Sequence, residues 1–379
     1  MLYFDHNATT PLLPVAREAW LAAAADFVGN PSSPHRLGSR ADRALSDART
    51  HLATWLGCDP MDLVWTSGAT EANNMVLHHA ARSAPPDAEV WVSAIEHPCV
   101  LAATRRYFPG RHRFVPVRPD GVIDLAWFQA RLAEGPPPAL VAVMAANNET
   151  GVLQPWPAVL AACRAAGVPF FCDAAQWLGK LPAAGLGACE FVSGCAHKFG
   201  GPRGIGFLKC PPRGPFHALL HGGEQEAGRR AGTENVAGAL ALVAALRQRE
   251  AELAAGGHHE RARWRARWAA DLPSRVPGAR VLGAGADTLW NTLSVLLPAA
   301  DCRRRWVVQL DKAGFAVSTG SACASGREEP SHVLAAMGVP AADSGRALRF
   351  SAGWETTPAD WEQLAQALAA LASAATPAA

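Results

Sequence analysis

Short apolar runs alternate along the chain with longer segments rich in alanine, leucine and arginine. The apolar runs predict strands at residues 62–66, 89–93, 139–144, 168–172, 190–193 and 205–209, and the longer segments have a helical character. Strands that alternate with helices are typical of a mainly parallel sheet covered by helices. This part of the chain is therefore predicted to form an α/β domain.

The pattern changes after residue 240. A stretch rich in alanine, arginine and glutamate over residues 240–270 predicts one or two helices with a break near Gly256 and Gly257. Strand-like runs return at residues 292–297 and 347–351, and a final helix is predicted from Pro358. We therefore expect a second, smaller domain after a helical bridge.

Polar clusters follow five of the predicted strands. They lie at residues 67–71, 96–97, 147–151, 173–176 and 197–198. In an open parallel sheet, ligands bind beyond the carboxyl ends of the strands. Five polar clusters at five strand ends therefore predict one common site.

Lys198 and Asp173 are the most informative members of these clusters. An amine that forms an imine and a carboxylate that keeps a pyridinium nitrogen charged are the protein groups that pyridoxal 5'-phosphate (PLP) needs. Lysine is costly to bury unless it is paired or neutralised, so a lysine at a strand end beside a tight turn suggests chemistry. Taken alone, Lys198 is equally compatible with a solvated loop lysine.

Three other features have both a functional and a structural interpretation. Residues 67–70 lie where a strand turns into a helix, which suits either an anion-binding helix N-terminus or an ordinary N-cap. His97 is either a core histidine or a ring that stacks on a planar cofactor and exchanges protons. Asp173 and Gln176 are either site residues or a helix cap and its neighbour.

Composition and charge exclude several classes of protein. Of the 379 residues, 49% are hydrophobic and 18% charged, which is ordinary for a globular protein. A net charge of +2 predicts no binding to nucleic acid or to an anionic membrane. The start of the chain lacks the pattern of a signal peptide, and no apolar run approaches the length of a membrane span, so we expect a cytoplasmic protein.

The cysteines and histidines predict neither a disulfide framework nor a metal site. The nine cysteines are odd in number and form no C-x-x-C pair, which suits a reducing compartment. Cys172, Cys189 and Cys210 lie in or beside apolar runs, where small core residues are expected. His217 and His221 have a metal-like spacing, but no third ligand accompanies them.

Twelve motifs in a fixed order carry a specific resemblance that covers residues 3–354, nearly the whole chain. They are DHNATTP at 5–11, GNPSSPH at 29–35, TSGATEANN at 66–74, EHP at 96–98, NNETG at 147–151, DAAQ at 173–176, HK at 197–198, GGEQE at 222–226, RAGTEN at 230–235, SAC at 321–323, PSHVL at 330–334 and LRFS at 348–351. With this ordered set, the chain resembles the cysteine desulfurases that supply sulfur for iron–sulfur clusters, among the class V aminotransferase relatives.

The resemblance implies PLP as cofactor and assigns residues to its ring. Lys198 would hold PLP as a Schiff base and, once released, would move the Cα proton of the substrate. Asp173 would keep the pyridine nitrogen protonated, and Gln176 would bond the phenolic oxygen. His97 would stack on the ring face and take part in proton transfer.

A second group of residues would bind the phosphate. The resemblance places Ala69, Thr70 and His197 there, together with Cys195, which stands where the family usually has a serine. A thiol is a weaker hydrogen-bond donor than a hydroxyl, so this departure predicts somewhat weaker cofactor binding. Thr233 would reach the phosphate of the partner subunit, which implies a homodimer.

The substrate, L-cysteine, would be bound and attacked by three further residues. Arg349 would clamp the substrate carboxylate with help from Asn148. Cys323, in a loop of small residues, would take the substrate sulfur as a persulfide and leave alanine. A sulfur-acceptor or scaffold protein would then receive the sulfur for iron–sulfur clusters or for thiolation.

The implied architecture is PLP fold type I, with a large cofactor domain over residues 12–255. The smaller α/β domain would combine residues 1–11 with 256–379 and carry the Cys323 loop. Two alternatives stay open at this point. One is a selenocysteine lyase, and the other is a catalytically idle sulfur-carrier or interaction partner, which the joint presence of Lys198, Cys323 and Arg349 argues against.

Overall fold

The computed structural model of the chain describes residues 1–211, 216–299, 305–319 and 330–374. The strands in these ranges are β1 (Leu2–Tyr3), β2 (Leu63–Thr66), β3 (Val90–Ser93), β4 (His112–Val115), β5 (Leu140–Ala142), β6 (Phe170–Asp173), β7 (Phe191–Cys195), β8 (Gly206–Lys209), β9 (Arg280–Leu282), β10 (Thr292–Leu296), β11 (Phe315–Ala316) and β12 (Ala347–Ser351). The helices are α1 (Pro14–Asp26), α2 (Arg36–Leu56), α3 (Ala69–Ser83), α4 (Pro98–Tyr107), α5 (Leu125–Glu134), α6 (Trp156–Ala165), α7 (Val236–Ala254), α8 (Gly257–Arg275), α9 (Arg305–Lys312), α10 (His332–Ala336), α11 (Ala341–Ser344) and α12 (Pro358–Ala374).

A seven-stranded sheet, in the order β2-β8-β7-β6-β5-β3-β4, forms the centre of the larger part of the fold. Neighbouring strands are parallel except around β8, which runs antiparallel to both β2 and β7. The predicted α/β class with a mainly parallel sheet is confirmed. The six strands predicted before residue 210 are present, with ends shifted by up to two residues.

Both faces of this sheet are covered by helices. Alternate residues of one strand enter different cores: Phe170 and Cys172 of β6 pack with α2, α6 and α7, whereas Phe171 packs with α3 and α4. Strands buried on both faces have continuous apolar runs rather than alternating ones. This explains why these strands were recognisable from the sequence.

A smaller antiparallel sheet, β12-β10-β9, forms a second core. Trp268 of α8 and Trp361 of α12 pack there against Phe350 of β12. The predicted break in the helical bridge is confirmed, since α7 ends at Ala254 and α8 begins at Gly257. Gly256 between them has a φ of 75°, a conformation that favours glycine.

The N-terminal segment joins the two cores. Leu2 of β1 pairs with Phe315 of β11, and Phe4 is buried in the second core. Leu13 and Ala16 are already part of the first core. The residues between them cross from one core to the other, past the carboxyl ends of the central strands. The domain boundaries at 11/12 and 255/256 stay a prediction.

Candidate active site

A cavity of about 620 Å³ lies at the carboxyl ends of β2, β6 and β7. It collects residues from all five predicted polar clusters. Ten predicted site residues line it: Ala69, Thr70, His97, Asn148, Asp173, Gln176, Cys195, His197, Lys198 and Arg349. Thr233 does not line this cavity and is exposed. Cys323 lies outside the described residues.

One end of the cavity is the N-terminus of α3, which begins at Ala69 directly after the loop from β2. The chain is tightly packed beneath this loop. A Cβ on Gly206 of β8 would lie 2.5 Å from the Gly194 carbonyl oxygen and 2.7 Å from the Gly68 Cα. Only glycine permits so close an approach. The helix dipole and backbone N–H groups at this end favour an anion.

Cys195, the last residue of β7, is buried beside that helix N-terminus. Its sulfur lies near the backbone of Ala69. Burial raises the pKa of the Cys195 thiol to about 11. The side chain is therefore a protonated thiol at neutral pH, and the neighbouring His197, whose pKa is lowered by burial to about 4, is an uncharged ring.

Asp173 ends β6 with a buried carboxylate. Its Oδ2 accepts a hydrogen bond from Asn73 Nδ2 at 2.7 Å, and its Oδ1 accepts from the Ala175 backbone N–H at 2.9 Å. These two bonds fix the plane of the carboxylate, which faces the cavity. A cationic ring nitrogen placed in the cavity would meet an oriented counter-charge.

His97 precedes α4 and acts as its N-cap. Its Nδ1 accepts from the Cys99 backbone N–H at 3.2 Å, and the Cys99 sulfur lies 2.9 Å from the same nitrogen. Because Nδ1 is an acceptor, the neutral ring carries its proton on Nε2. Burial lowers the pKa of His97, so the neutral form is favoured. The ring can therefore present an N–H to a neighbouring group.

Lys198 extends from the turn after β7 to the N-terminal segment. Its Nζ donates to the carbonyl oxygens of Asn7 at 2.6 Å and Ala8 at 2.9 Å. The Lys198 carbonyl oxygen accepts from the Thr10 hydroxyl at 3.1 Å. The segment that joins the two cores thus holds the amine at the cavity wall.

Arg349 of β12 forms the opposite end of the cavity. Its Nη2 donates to Asp5 Oδ1 at 2.6 Å, and its Nη1 donates to the Asn148 carbonyl oxygen at 3.0 Å. The buried Nε has no hydrogen-bond partner among the described residues. A buried donor without a partner has the capacity to bind an anionic ligand.

The motifs did not single out two other residues at the site. Asn7 and Lys180 bond each other through Oδ1 and Nζ at 2.8 Å, and Lys180 Nζ also donates to Gln176 Oε1. Asn7 belongs to the first quoted motif, and Lys180 follows Gln176 by four residues. Membership of that motif for Asn7, and the spacing from Gln176 for Lys180, were the only sequence features that could have identified these two residues.

The described residues show neither a metal site nor a membrane span. Their His, Cys, Asp and Glu side chains do not gather in threes that could hold a metal ion. Within the same ranges, each helix is too short or too polar to cross a membrane.

Comparisons with known proteins agree with one another. The sequence profile of the family "Aminotransferase class-V" matches residues 2–364. A cysteine desulfurase of Cereibacter sphaeroides is 41% identical over 374 residues, which cover 97% of this chain and 94% of that protein. A cysteine desulfurase of Klebsiella pneumoniae is 38% identical over 354 residues, covering 92% and 87%.

Two solved structures are similar to this chain over most of its length. A NifS-like protein has a TM-score of 0.88 at 30% identity, with 98% of this chain and 99% of that chain covered. SspA in complex with cysteine has a TM-score of 0.80 at 27% identity, with 93% and 98% covered.

Proposed function

The chain belongs to the aminotransferase class-V family, to its cysteine desulfurases, and we propose that it uses PLP held by Lys198 to transfer the sulfur of L-cysteine to Cys323. Family membership confirms the resemblance found in the sequence motifs. One observation carries the proposal: the Lys198 amine, the Asp173 carboxylate and the Arg349 guanidinium line the same cavity. The relatives favour this activity over a selenocysteine lyase or an idle partner.

The described residues fit PLP. The α3 N-terminus with Ala69 and Thr70 suits a phosphate, and Asp173 suits a protonated ring nitrogen. Gln176, with Nε2 as a donor, suits a phenolic oxygen. When bound, PLP supplies a ring that accepts the electrons left on the substrate Cα.

Lys198 and His97 are the groups that we assign to proton transfer. Lys198 Nζ would hold the cofactor through its aldehyde group and, once released, would act as the base that moves the Cα proton of the substrate. His97 would stack on the ring, and its Nε2–H is directed by the Nδ1 contacts with Cys99. Both residues line the cavity, and a general base must lie within reach of the proton it moves.

Arg349 and Asn148 bind the substrate carboxylate in this assignment. The Arg349 guanidinium lines the cavity, and its Nε has no hydrogen-bond partner among the described residues, which suits a carboxylate ligand. The solved relative described with cysteine supports L-cysteine as the substrate.

The nucleophile is assigned to Cys323 from the resemblance of the sequence motifs, and the two described cysteines that line the cavity are unsuited to this role. Cys99 and Cys195 line the cavity, but burial raises their pKa values to about 12 and about 11. Thiolates are the reactive form, so neither is a good nucleophile at neutral pH. Cys323 takes the sulfur atom as a persulfide and then passes it to a sulfur-acceptor or scaffold protein.

Turnover of L-cysteine by the purified chain tests the proposed function. With PLP, L-cysteine and a reducing thiol, we expect alanine and sulfide in equal amounts and a yellow absorbance band. L-serine and D-cysteine serve as control substrates, and L-selenocysteine measures the preference for selenium. An idle partner would show neither the band nor the products.

Cys323→Ser should bind L-cysteine, seen as a change in the cofactor absorbance, but should form no persulfide and no alanine. The hydroxyl of serine is a much weaker nucleophile than a thiolate. Cys58→Ser is the matched control, because Cys58 is only partly buried and lies outside the cavity. Alanine formation at the wild-type rate in Cys323→Ser without added thiol would show that another group is the nucleophile.

We also propose a homodimer in which Thr233 completes the phosphate site of the opposite subunit. Two observations support this: Thr233 is exposed, and it does not line the cavity of its own subunit. Sedimentation velocity of the PLP-loaded protein at micromolar concentration should give a dimer. An active monomer with bound PLP would refute the assignment of Thr233.

Cys195→Ser should tighten PLP binding by up to about tenfold or a little more and leave turnover nearly unchanged. A serine hydroxyl bonded to a charged phosphate is worth about 1.5–3 kcal/mol, whereas a thiol is a weak donor. Dissociation of PLP from both proteins provides the measurement. Cys172→Ser, in the core of β6, is a control that should affect stability and not PLP affinity. Weaker PLP binding by Cys195→Ser would contradict the phosphate role.

A further inference from the structure

We propose that Lys180 is a positioning residue that orients the amides of Gln176 and Asn7 and so links the cofactor end of the cavity to its substrate end. This inference rests on the proposed function. It concerns a residue that does not line the main cavity but lies directly behind it.

Lys180 is deeply buried, with 3% of its surface exposed. Its Nζ donates to Asn7 Oδ1 at 2.8 Å and to Gln176 Oε1, so both acceptors are amide oxygens rather than carboxylates. Burial, followed by the positive charges of Lys198 and Arg349, lowers the pKa of Lys180 well below its usual value. Burial of an amine at this position costs folding free energy, whereas burial of an apolar side chain of similar length would not. Its N–H groups are therefore its contribution to the site.

The first consequence concerns Gln176. With Oε1 occupied by the Lys180 N–H, the other end of the amide must be Nε2, which donates to the Asn7 carbonyl oxygen at 2.9 Å. The second hydrogen of Nε2 is left for the cavity that Gln176 lines. Lys180 and the Asn7 carbonyl oxygen thus together select the amide orientation that donates to a phenolic oxygen. Without Lys180, one of these two contacts is lost, and the amide is held less firmly against a half-turn that would present Oε1 to that oxygen, where the two acceptors would repel each other.

The second consequence concerns Asn7. Lys180 and Asn291 both donate to its Oδ1, at 2.8 and 3.2 Å, which directs its Nδ2 the other way. That Nδ2 donates to the Asn148 carbonyl oxygen at 3.1 Å, and the same oxygen accepts from Arg349 Nη1 at 3.0 Å. A continuous series of hydrogen bonds therefore connects Lys180 to the guanidinium assigned to the substrate carboxylate.

Lys180→Met removes the N–H donors and keeps the length of the side chain. Leaving Gln176 Oε1 and Asn7 Oδ1 with fewer donors should weaken PLP binding by about tenfold. Misalignment of Arg349 should also raise the KM for L-cysteine more than it lowers kcat. The absorbance spectrum of the bound cofactor should shift, because the donor to its phenolic oxygen is lost.

A double-mutant cycle with Gln176→Ala separates positioning from general destabilisation. If Lys180 acts on the cofactor through Gln176, adding Lys180→Met to Gln176→Ala should change PLP dissociation by less than about twofold. Two independent effects would multiply instead. This readout is a binding measurement and does not depend on turnover.

Lys209→Met is the matched control. Lys209 is one of only four lysines in the chain, and it is also buried, with Nζ donating to the Cys189 carbonyl oxygen at 2.7 Å. It does not line the cavity. Its substitution should lower the unfolding temperature and leave PLP dissociation unchanged.

Should Lys180→Met fail to fold, Lys180→Gln provides the second variant. The glutamine keeps an N–H donor, and PLP dissociation from this variant should stay within about threefold of wild type.

Several outcomes decide the proposal. Coupled effects of Lys180→Met and Gln176→Ala, with Lys209→Met unaffected in PLP binding, support it. Unchanged PLP binding in Lys180→Met, or effects that multiply in the cycle, overturn the Lys180 role and leave the proposed function intact. Loss of PLP binding by Lys180→Gln equal to that of a folded Lys180→Met also overturns the donor role. Failure of the wild-type chain to bind PLP overturns both.

Discussion

Lys198→Ala should remove the yellow cofactor band and lower turnover by at least about 10⁴-fold. Two functions should be lost at once, because the proposed function assigns both cofactor binding and transfer of the substrate proton to this amine. General acid–base catalysis alone contributes up to about 10⁴-fold. Absorbance of the purified variant and alanine formation from L-cysteine provide the measurements. Borohydride reduction followed by mass spectrometry should find no cofactor adduct.

The structure shows why another lysine should not replace Lys198. Lys180 is the alternative lysine that is buried in the same region. Its Nζ donates hydrogen bonds to Asn7 and Gln176, and the side chain does not line the main cavity. Lys312 at the end of α9 is exposed, so Lys312→Ala is a suitable control and should keep full activity. Full activity together with a reducible adduct in Lys198→Ala would overturn the assignment of the cofactor lysine.

The sequence was sufficient for the fully buried strands and insufficient for the strands with exposed residues. β6 and its neighbours are buried on both faces, so their sequences are continuous apolar runs. β4 and β9 were not predicted. β4 is an edge strand with His112 and Arg113 in it, and β9 begins with the exposed Arg280. β2 and β12 are also edge strands, but their residues are all buried, and both were predicted. A strand with exposed positions has a pattern that resembles that of a loop.

The same distinction applies to the site. Residues after strand ends, such as Asp173 and Lys198, could be assigned to one site because parallel strands end at one edge of the sheet. Lys180 could not, because its partner Asn7 lies 173 positions away in the chain. That contact depends on the path of the N-terminal segment between two cores, which no local pattern reveals.

Asp173→Asn should keep bound PLP and lower kcat by about 10²–10³-fold. The substitution preserves the shape of the side chain and removes the charge that pairs with the ring nitrogen, an electrostatic contribution of the kind that is worth such factors. The variant should fold, because Asn73 has a buried Oδ1 without a hydrogen-bond partner in the described part of the chain. A half-turn of the Asn73 amide would let that oxygen accept from the amide N–H that the substitution introduces.

A charge on the Glu96 carboxyl group could compensate for the lost charge of Asp173, but the environment of Glu96 argues against such compensation. Its carboxyl is buried, and burial, followed by the charge of Asp173, raises its pKa well above the usual value. Loss of the Asp173 charge leaves the larger effect, burial, in place, so the pKa of Glu96 should stay raised, and Glu96 does not line the cavity. Asp120→Asn, at a surface turn, is the control and should keep the wild-type kcat. A wild-type kcat in Asp173→Asn with PLP bound would overturn the assignment of the Asp173 charge to the ring nitrogen, since the other acidic residue among those that line the cavity, Glu71, is paired with Arg230.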